Sequence, residues 1–143
     1  MCTGTFNMTM IHFLVLVVLM AASAFPNSSP ILPACPATPN CVSSQADDSH
    51  RIEPFKIDGD ARVDFDKLRK ILVQRNDTKL NSSGDTIITV EFRTMLGFVD
   101  DGLFVLDAAN SLIQVRSAAR IGYWDFGKNR RRMEEIRRSY LAK

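Results

Sequence analysis

Two adjacent carboxylates and three arginines are the side chains of this 143-residue sequence best suited to chemistry. Carboxylates beside cations can be tuned for proton transfer, and arginine forks bind carboxylate or phosphate groups through paired hydrogen bonds. An arginine that points into a core needs a carboxylate partner, because an unpaired buried charge is costly. The candidate ligand-binding residues come from three short segments: Asp100, Asp101, Arg116, Ser117, Arg120, Asp125, Asn129 and Arg132.

This polar cluster allows three interpretations. As a function, the favoured one is a non-enzymatic binding or assembly module, in which Arg116, Arg120 and Arg132 hold an anionic small ligand or a lipid headgroup. The second is an enzyme that uses Asp100 or Asp101 as a general base, with no catalytic residue assigned further. The third gives the cluster no ligand: it is a structural network that pins the last helix to the sheet, which is the commoner role of buried ion pairs.

The end of the chain is basic. Residues 116–143 contain nine Lys+Arg and three Asp+Glu, whereas residues 1–115 contain nine and thirteen. Such a bias is typical of a solvated helix face, and it also suits a membrane or protein interaction module whose basic C-terminal helix meets an anionic membrane surface. Nucleic acid is not expected as a partner, because the sequence has no nucleic-acid fold signature. We expect a monomer.

The two cysteines of the mature chain, Cys35 and Cys41, are six positions apart in a Pro-rich segment. They are candidates for a disulfide in an oxidising compartment or for a reducible pair in a plastid stroma. With His50 they would give only three ligands at an unusual spacing, so no metal and no cofactor are expected. Asn76 and Asn81 each begin a glycosylation sequon in a predicted surface loop.

The elements that must position the polar cluster follow from hydrophobic periodicity. Apolar residues at helical spacing predict helices over residues 63–75 and 128–141, with Asp60 or Asp64 capping the first and Asp125 the second. Alternation predicts strands over residues 86–96 and 112–118, and shorter strands are predicted over 51–57, 78–80 and 103–106. Turns are predicted at Asp100-Asp101-Gly102 and at residues 107–110.

These elements predict an α+β fold, in which an antiparallel meander sheet of three to five strands has two helices packed on one face. Asp100 and Asp101 would then lie in the turn before a short strand. The opposite face of the sheet would show four polar side chains: Glu91, Arg93, Gln114 and Arg116.

The amino-terminal residues predict targeting. The apolar run over residues 11–22 is too short to cross a bilayer, which needs about 20 residues. Small residues at positions 22 and 24 predict a secretory signal peptide over residues 1–24. The string Ala22-Ser23-Ala24-Phe25 also resembles the ASAF motif of algae with secondary, red-derived plastids. A plastid destination is therefore favoured slightly, with secretion as the alternative.

The remaining chain forms one small domain. Residues 25–43 hold five of the six prolines and no Lys or Arg, so they predict an extended Pro-rich lead-in, which includes a short transit segment in the plastid interpretation. Residues 44–143 are predicted to be the single α+β domain. A 45% apolar content and a net charge of +2 exclude a disordered chain.

Several strings resemble the uncharacterised family catalogued as domain of unknown function (DUF) 1499. The resemblance covers about residues 35–138 and implies no activity, because the family has none established. The matching strings, in chain order, are Pro39-Asn40-Cys41-Val42-Ser43-Ser44, Phe98-Val99-Asp100-Asp101, Arg116-Ser117 with Arg120 and Gly122, and Asp125-Phe126-Gly127 with Asn129-Arg130-Arg131-Arg132.

Overall fold

The computed structural model describes Met1 and residues 29–142, and in them the chain forms an open antiparallel sheet with two helices. The strand order is β1-β6-β5-β4-β3, and β2 also pairs with β6. The α+β prediction is confirmed, with six strands instead of three to five. The elements are β1 Cys41–Ser43, β2 Phe55–Lys56, α1 Ala61–Gln74, β3 Thr78–Ser83, β4 Ile87–Arg93, β5 Val99–Asp107, β6 Leu112–Ala119 and α2 Lys128–Leu141.

The first helix follows its apolar stripe. Phe65, Leu68 and Leu72 are buried, and each lies three or four residues from the next, which places them on one helix face. Asp60 caps the helix, since its side chain accepts hydrogen bonds from the amides of Arg62 and Val63 at 2.9 and 3.0 Å. The helix therefore begins two residues before the predicted position.

The core lies between the helices and one face of the sheet, here called the inner face. Ile88, Val90 and Phe92 of β4 alternate onto this face, and all are at most 1% exposed. Phe104 of β5 lies opposite both Ile88 and Val115 of β6 in the register. The alternation of β4 and β6 was sufficient to predict this face, because buried apolar residues alternate with polar ones along both strands.

The predicted turn at Asp100-Asp101-Gly102 is wrong, because all three residues lie inside β5. The chain turns earlier, where the Thr94 amide donates to the Phe98 carbonyl at 2.9 Å and Gly97 has a φ of 84°. Gly102 is required for space, since a Cβ there would lie 2.4 Å from Cε2 of Phe92. The glycine serves close packing in the sheet centre rather than a turn.

The second helix has the predicted bounds. Gly127 is its N-cap, in a left-handed conformation, and offers no side chain. Asp125 takes over the capping, since its two carboxylate oxygens accept from the amides of Gly127 at 2.9 Å and Asn129 at 2.8 Å. Asp125 therefore caps the helix through its side chain, as predicted, although it stands two positions before the N-cap residue.

The lead-in contributes a strand and crosses the other face of the sheet, here called the outer face. A disulfide joins Cys35 to Cys41, the first residue of β1. Leu32 is buried, and its amide donates to the Gln45 side chain at 2.8 Å. The sequence predicted no strand in this segment, because three residues are too few to show a period.

The predicted signal peptide and the ASAF-like string lie outside the described residues. Among the residues described, no helix is long and apolar enough to span a membrane.

Candidate functional site

The sheet divides the predicted polar cluster into two groups on opposite faces. Asp100 and Asp101 are consecutive in β5, and side chains alternate along a strand. Asp100 pairs with Phe92 of β4 in the register and therefore points to the inner face, where its exposure is 3%. Asp101 pairs with Glu91 and points to the outer face.

On the inner face, Arg132 forms a buried ion pair with Asp100. Its Nη2 lies 2.8 Å from Oδ2 of Asp100, and the two side chains are 3% and 5% exposed. Its Nε lies 3.5 Å from Oδ2 of Asp77, and its guanidinium is 4.6 Å from the centre of the Phe92 ring. The arginine is therefore enclosed by two carboxylates and an aromatic face, which compensates its charge.

Asn129 links this ion pair to the strands. Its Oδ1 accepts from the Ser117 hydroxyl and from Nη1 of Arg132, the latter at 3.2 Å. Its Nδ2 donates to Asp125 at 2.9 Å and to the Asn40 carbonyl at 3.2 Å. We call Asp77, Asp100, Ser117, Asn129 and Arg132 the inner polar network; it ties α2 to β5 and β6.

On the outer face, Arg120 joins two carboxylates in a cluster of which Arg120 and Asp101 are about half exposed and Glu91 is 13% exposed. It donates to both Asp101 oxygens, through Nε at 3.1 and 3.0 Å and through Nη2 at 2.7 Å, and also to Glu91 at 2.7 Å. The hydrogen bonds to Asp101, and then that to Glu91, raise the pKa of Arg120 above its ordinary value. The hydrogen bond from Arg120 lowers the pKa of Glu91. We call these three residues the outer ion cluster.

Arg116 also faces outward but is half-buried under the lead-in. Its Nη2 donates to the Ala34 carbonyl at 3.3 Å, and its Nε is buried without a hydrogen-bond partner. Burial lowers the pKa of Arg116, although the nearby Asp101 acts in the opposite direction. The three predicted ligand-holding arginines do not meet, because Arg132 lies on the inner face and the other two lie on the outer face.

The four polar side chains predicted on the outer face differ in exposure. Arg93 is exposed and donates to Glu91 at 3.2 Å, whereas the Glu91 side chain is only 13% exposed. Gln114 is buried, and its polar atoms are satisfied, because it accepts from the Ser44 hydroxyl at 2.7 Å and donates to Asp107 at 3.1 Å. This part of the face is covered, whereas the part near β4 is open to solvent.

The histidine and the two sequon asparagines lie apart from the polar cluster. His50 is buried, with Nδ1 2.9 Å from Asp48 and Nε2 3.1 Å from the Thr38 carbonyl. Asn76 and Asn81 are exposed, and Asn81 lies in β3 rather than in a loop. No group of three metal-binding side chains occurs among residues 29–142.

The basic residues of α2 are largely occupied by neighbours. Arg130 donates to the carbonyls of Arg51 and Ser49 at 2.7 and 2.8 Å. Arg137 donates to the carbonyls of Glu53 and Pro54 and to the Glu134 carboxylate. These arginines hold the segment between β1 and α1 against the helix, so they do not form a free basic face.

A group of exposed apolar side chains was missed by the sequence reasoning. It occupies the β4–β5 hairpin tip and the loop between β6 and α2. Trp124 stacks on Phe126 with ring centres 4.8 Å apart, and 62% of Trp124 is exposed. We call this set the apolar end; its members are Met95, Leu96, Phe98, Ile121, Tyr123, Trp124 and Phe126.

Both apolar loops project from the same end of the sheet. Asp100 pairs with Ala119 in the register, and the Arg120 amide donates to the Val99 carbonyl at 3.1 Å. The start of β5 and the end of β6 are therefore neighbours. The signal available in the sequence was two apolar strings in segments that connect regular elements, Met95-Leu96-Gly97-Phe98 and Ile121-Gly122-Tyr123-Trp124.

Comparison with known proteins places the chain in a family. The sequence profile of the family described as Protein of unknown function (DUF1499) matches residues 31–139. The chain therefore belongs to the DUF1499 family, which confirms the resemblance. No curated protein and no solved structure matches the chain.

Proposed function

We propose that this protein is a peripheral membrane-binding module that inserts its apolar end into the surface of an anionic bilayer. The observation that carries the proposal is the exposure of seven large apolar side chains on two neighbouring loops. Soluble monomers rarely expose contiguous apolar groups of this kind, and such patches mark interaction sites.

The composition and shape of the apolar end suit a bilayer interface. Tyr123 and Trp124 combine an apolar ring with a polar atom, and such residues are enriched where a membrane meets water. Both segments connect consecutive elements at one end of the sheet, so they can enter a bilayer together. In the hairpin tip, Thr94 and Gly97 satisfy backbone groups internally, because the Gly97 amide donates to the Thr94 carbonyl at 2.9 Å.

Basic side chains next to the apolar end favour an anionic surface. Lys128 and Arg131 lie in the first turn of α2, directly after the apolar loop. Neither has a salt bridge to another described residue, and Arg131 donates to the Phe126 carbonyl at 2.6 Å. A basic residue at an anionic membrane surface contributes about 1 kcal/mol.

The geometry gives less support to an enzyme that uses the Asp pair. Asp100 is enclosed with Arg132, and Asp101 accepts three contacts from Arg120. Neither carboxylate is available as a free base. The membrane proposal retains the lipid-headgroup part of the sequence interpretation but moves the contact to the end of the sheet.

Trp124 allows a direct test, because it is the only tryptophan of the chain. We expect its emission to shift to the blue when purified full-length protein meets vesicles of phosphatidylcholine and phosphatidylglycerol. Phospholipids brominated on the acyl chain should quench it. Since the fluorophore lies in the apolar end, the signal reports insertion of this loop and not attachment through another segment.

The variant for this test is Leu96→Ser with Phe98→Ser in the hairpin tip, which leaves Trp124 in place. The matched control is Val63→Ser with Val73→Ser, since these side chains are also exposed, at 66% and 60%, but lie on α1. The tip variant should lose quenching and the control should keep it. Sedimentation with vesicles without any change of Trp124 emission would overturn the proposal, as would binding only to another protein.

A further inference from the structure

A cavity of about 170 Å³ opens beside the apolar end and is lined by charged side chains. Its walls come from α2 and from the segment between α1 and β3. The lining residues are Arg75, Asp77, Lys128, Arg131, Arg132 and Glu135. Four of the six are cations, so the cavity favours an anion by charge.

The cations of this cavity are of two kinds. Arg132 is compensated by Asp100 and Asp77, and Arg75 donates to both Asp77 oxygens at 2.9 Å. Partial burial raises the pKa of Asp77, but the hydrogen bonds from Arg75 act in the opposite direction, and the net effect is a lowered pKa. These residues form a fixed, ion-paired wall.

Lys128 and Arg131 make up the uncompensated part of the cavity. Within the part of the chain that the structure describes, neither forms a salt bridge, and Lys128 makes no side-chain hydrogen bond. Glu135 is the more exposed of the two lining carboxylates; its side chain is 51% exposed and lies 3.6 Å from Arg75. Two cations at one opening can bind the oxygens of one phosphate.

Each wall of the cavity is hydrogen-bonded to a residue in or next to one loop of the apolar end. Arg131 is tied to the Phe126 carbonyl at 2.6 Å. On the other side, the Arg93 amide donates to the Asp77 carbonyl at 2.7 Å, and the hairpin tip begins at the next residue. An anion in this cavity would therefore sit close to the level at which the apolar loops enter a bilayer.

We infer that this cavity binds the phosphate of an anionic lipid headgroup, with Lys128 and Arg131 as its main ligands. The inference rests on the proposed membrane docking and names the lipid chemistry recognised there. A phosphomonoester matches two cations best, because it has a charge of about −1.5 to −2 at neutral pH. Phosphatidate is the simplest lipid with this group, and glycerol 3-phosphate is its soluble counterpart.

The lipid test compares vesicles of phosphatidate with vesicles of phosphatidylserine, adjusted to the same surface potential. Quenching of Trp124 by brominated acyl chains gives the apparent affinity. We expect Lys128→Gln to weaken binding to phosphatidate about fivefold, and Lys128→Gln with Arg131→Gln about 25-fold. Glu135→Gln should strengthen binding, because it removes a negative charge from the opening.

Arg138→Gln is the matched control. Arg138 is an exposed arginine of the same helix that does not line the cavity; it lies in the last turn, seven residues beyond Arg131. It should change the affinity by less than about twofold. Equal losses for Lys128→Gln and Arg138→Gln, or equal affinity for the two lipids, would mean that only the surface charge matters and would overturn the inference.

A soluble arm separates this site from membrane docking. Isothermal titration with glycerol 3-phosphate should give binding that the double variant abolishes and Arg138→Gln retains. Such binding without any insertion of Trp124 would support the phosphate site and contradict the docking proposal. Insertion of Trp124 without phosphate binding and without lipid preference would retain docking and overturn the site.

Discussion

Asp100 and Asp101 are neighbours in β5, yet their carboxylates have different surroundings. Asp100 is 3% exposed and faces Arg132, which is equally buried. The Asp101 side chain is 48% exposed and binds Arg120, whose side chain is 43% exposed. Both pairs have a closest contact between 2.7 and 2.8 Å, so distance does not distinguish them. Solvent does, because water screens the outer pair and is excluded from the inner one.

The difference indicates that the two pairs contribute differently to the fold. The inner pair cannot lose one partner without leaving a buried charge, whereas the outer pair can be rehydrated. At nearly the same contact distance, we therefore expect the buried pair to be needed for a stable fold and the exposed pair to be dispensable. Four experiments would test this contrast.

The largest effect is expected for Asp100→Ala. It leaves Arg132 buried with Asp77 as its remaining carboxylate, at 3.5 Å, and we expect a loss of about 4 kcal/mol in the free energy of unfolding. Urea unfolding measures the loss, with Asp101→Ala as the matched control. Replacing both inner partners, as in Asp100→Ala with Arg132→Met, should be less destabilising than Asp100→Ala alone. If Asp100→Ala and Asp101→Ala cost the same, burial does not control these pairs.

Gly102→Ala tests the packing of the inner face without changing any charge. The added Cβ would meet Phe92 at 2.4 Å and Val90 at 2.6 Å, so we expect a loss of about 3 kcal/mol. Gly59→Ala is the control, since nothing lies within 4 Å of a Cβ at that position. The control should be neutral or slightly stabilising. A neutral Gly102→Ala would show that the inner face can relax.

The pH dependence of stability tests whether a buried charged group also contributes to the fold away from the inner polar network, at His50. The hydrogen bond to Asp48, followed by that to the Thr38 carbonyl, raises the pKa of His50 above 6.5. Protonated His50 therefore stabilises the fold below pH 6.5, and this contribution is lost as the pH rises through the higher folded pKa. Asp48 and Arg130 are the charged groups that affect it. Urea unfolding from about pH 5 to pH 9 should show this decline in the wild type and not in His50→Gln.

The smallest effect is expected for Arg120→Ala. Asp101 is already 48% exposed, and removal of the guanidinium gives Glu91 access to water, so the urea midpoint should stay within error of the wild type at moderate salt. A clear loss of stability would contradict the proposed contrast between the faces. It would mean that the outer ion cluster is more shielded from water than its exposure indicates.

Periodicity predicted the elements with strong patterns. Both helices and β4 were found because each has an apolar stripe or an alternation long enough to define a face. The Asp100-Asp101-Gly102 turn failed because these residue types favour turns only locally. In β5 the partners of Asp100 and Gly102 are Arg132 and Phe92, and no local pattern contains them.

The sequence identified the polar residues of the candidate site but not the faces of the sheet on which they lie. An inward Arg132 with a carboxylate partner followed from helix spacing and from the cost of a buried charge, and the structure decides between Asp100 and Asp101 in favour of Asp100. Placing Asp100 in a turn removed the alternation that sends Asp101 to the outer face. The apolar end was missed because strings such as Met95-Leu96 predict burial by default, and only the fold shows that nothing covers them.

The two edges of the sheet have a consequence for assembly. One edge is β3, in which Lys79, Asn81 and Ser82 are exposed and a bulge interrupts the register after Leu80. The other edge is divided between β1 and β2, with three and two residues. Neither offers a long, flat row of free backbone groups, so strand addition from a second molecule is disfavoured at both. Molecules that gather on a surface through one end can therefore crowd together without joining their sheets into fibrils.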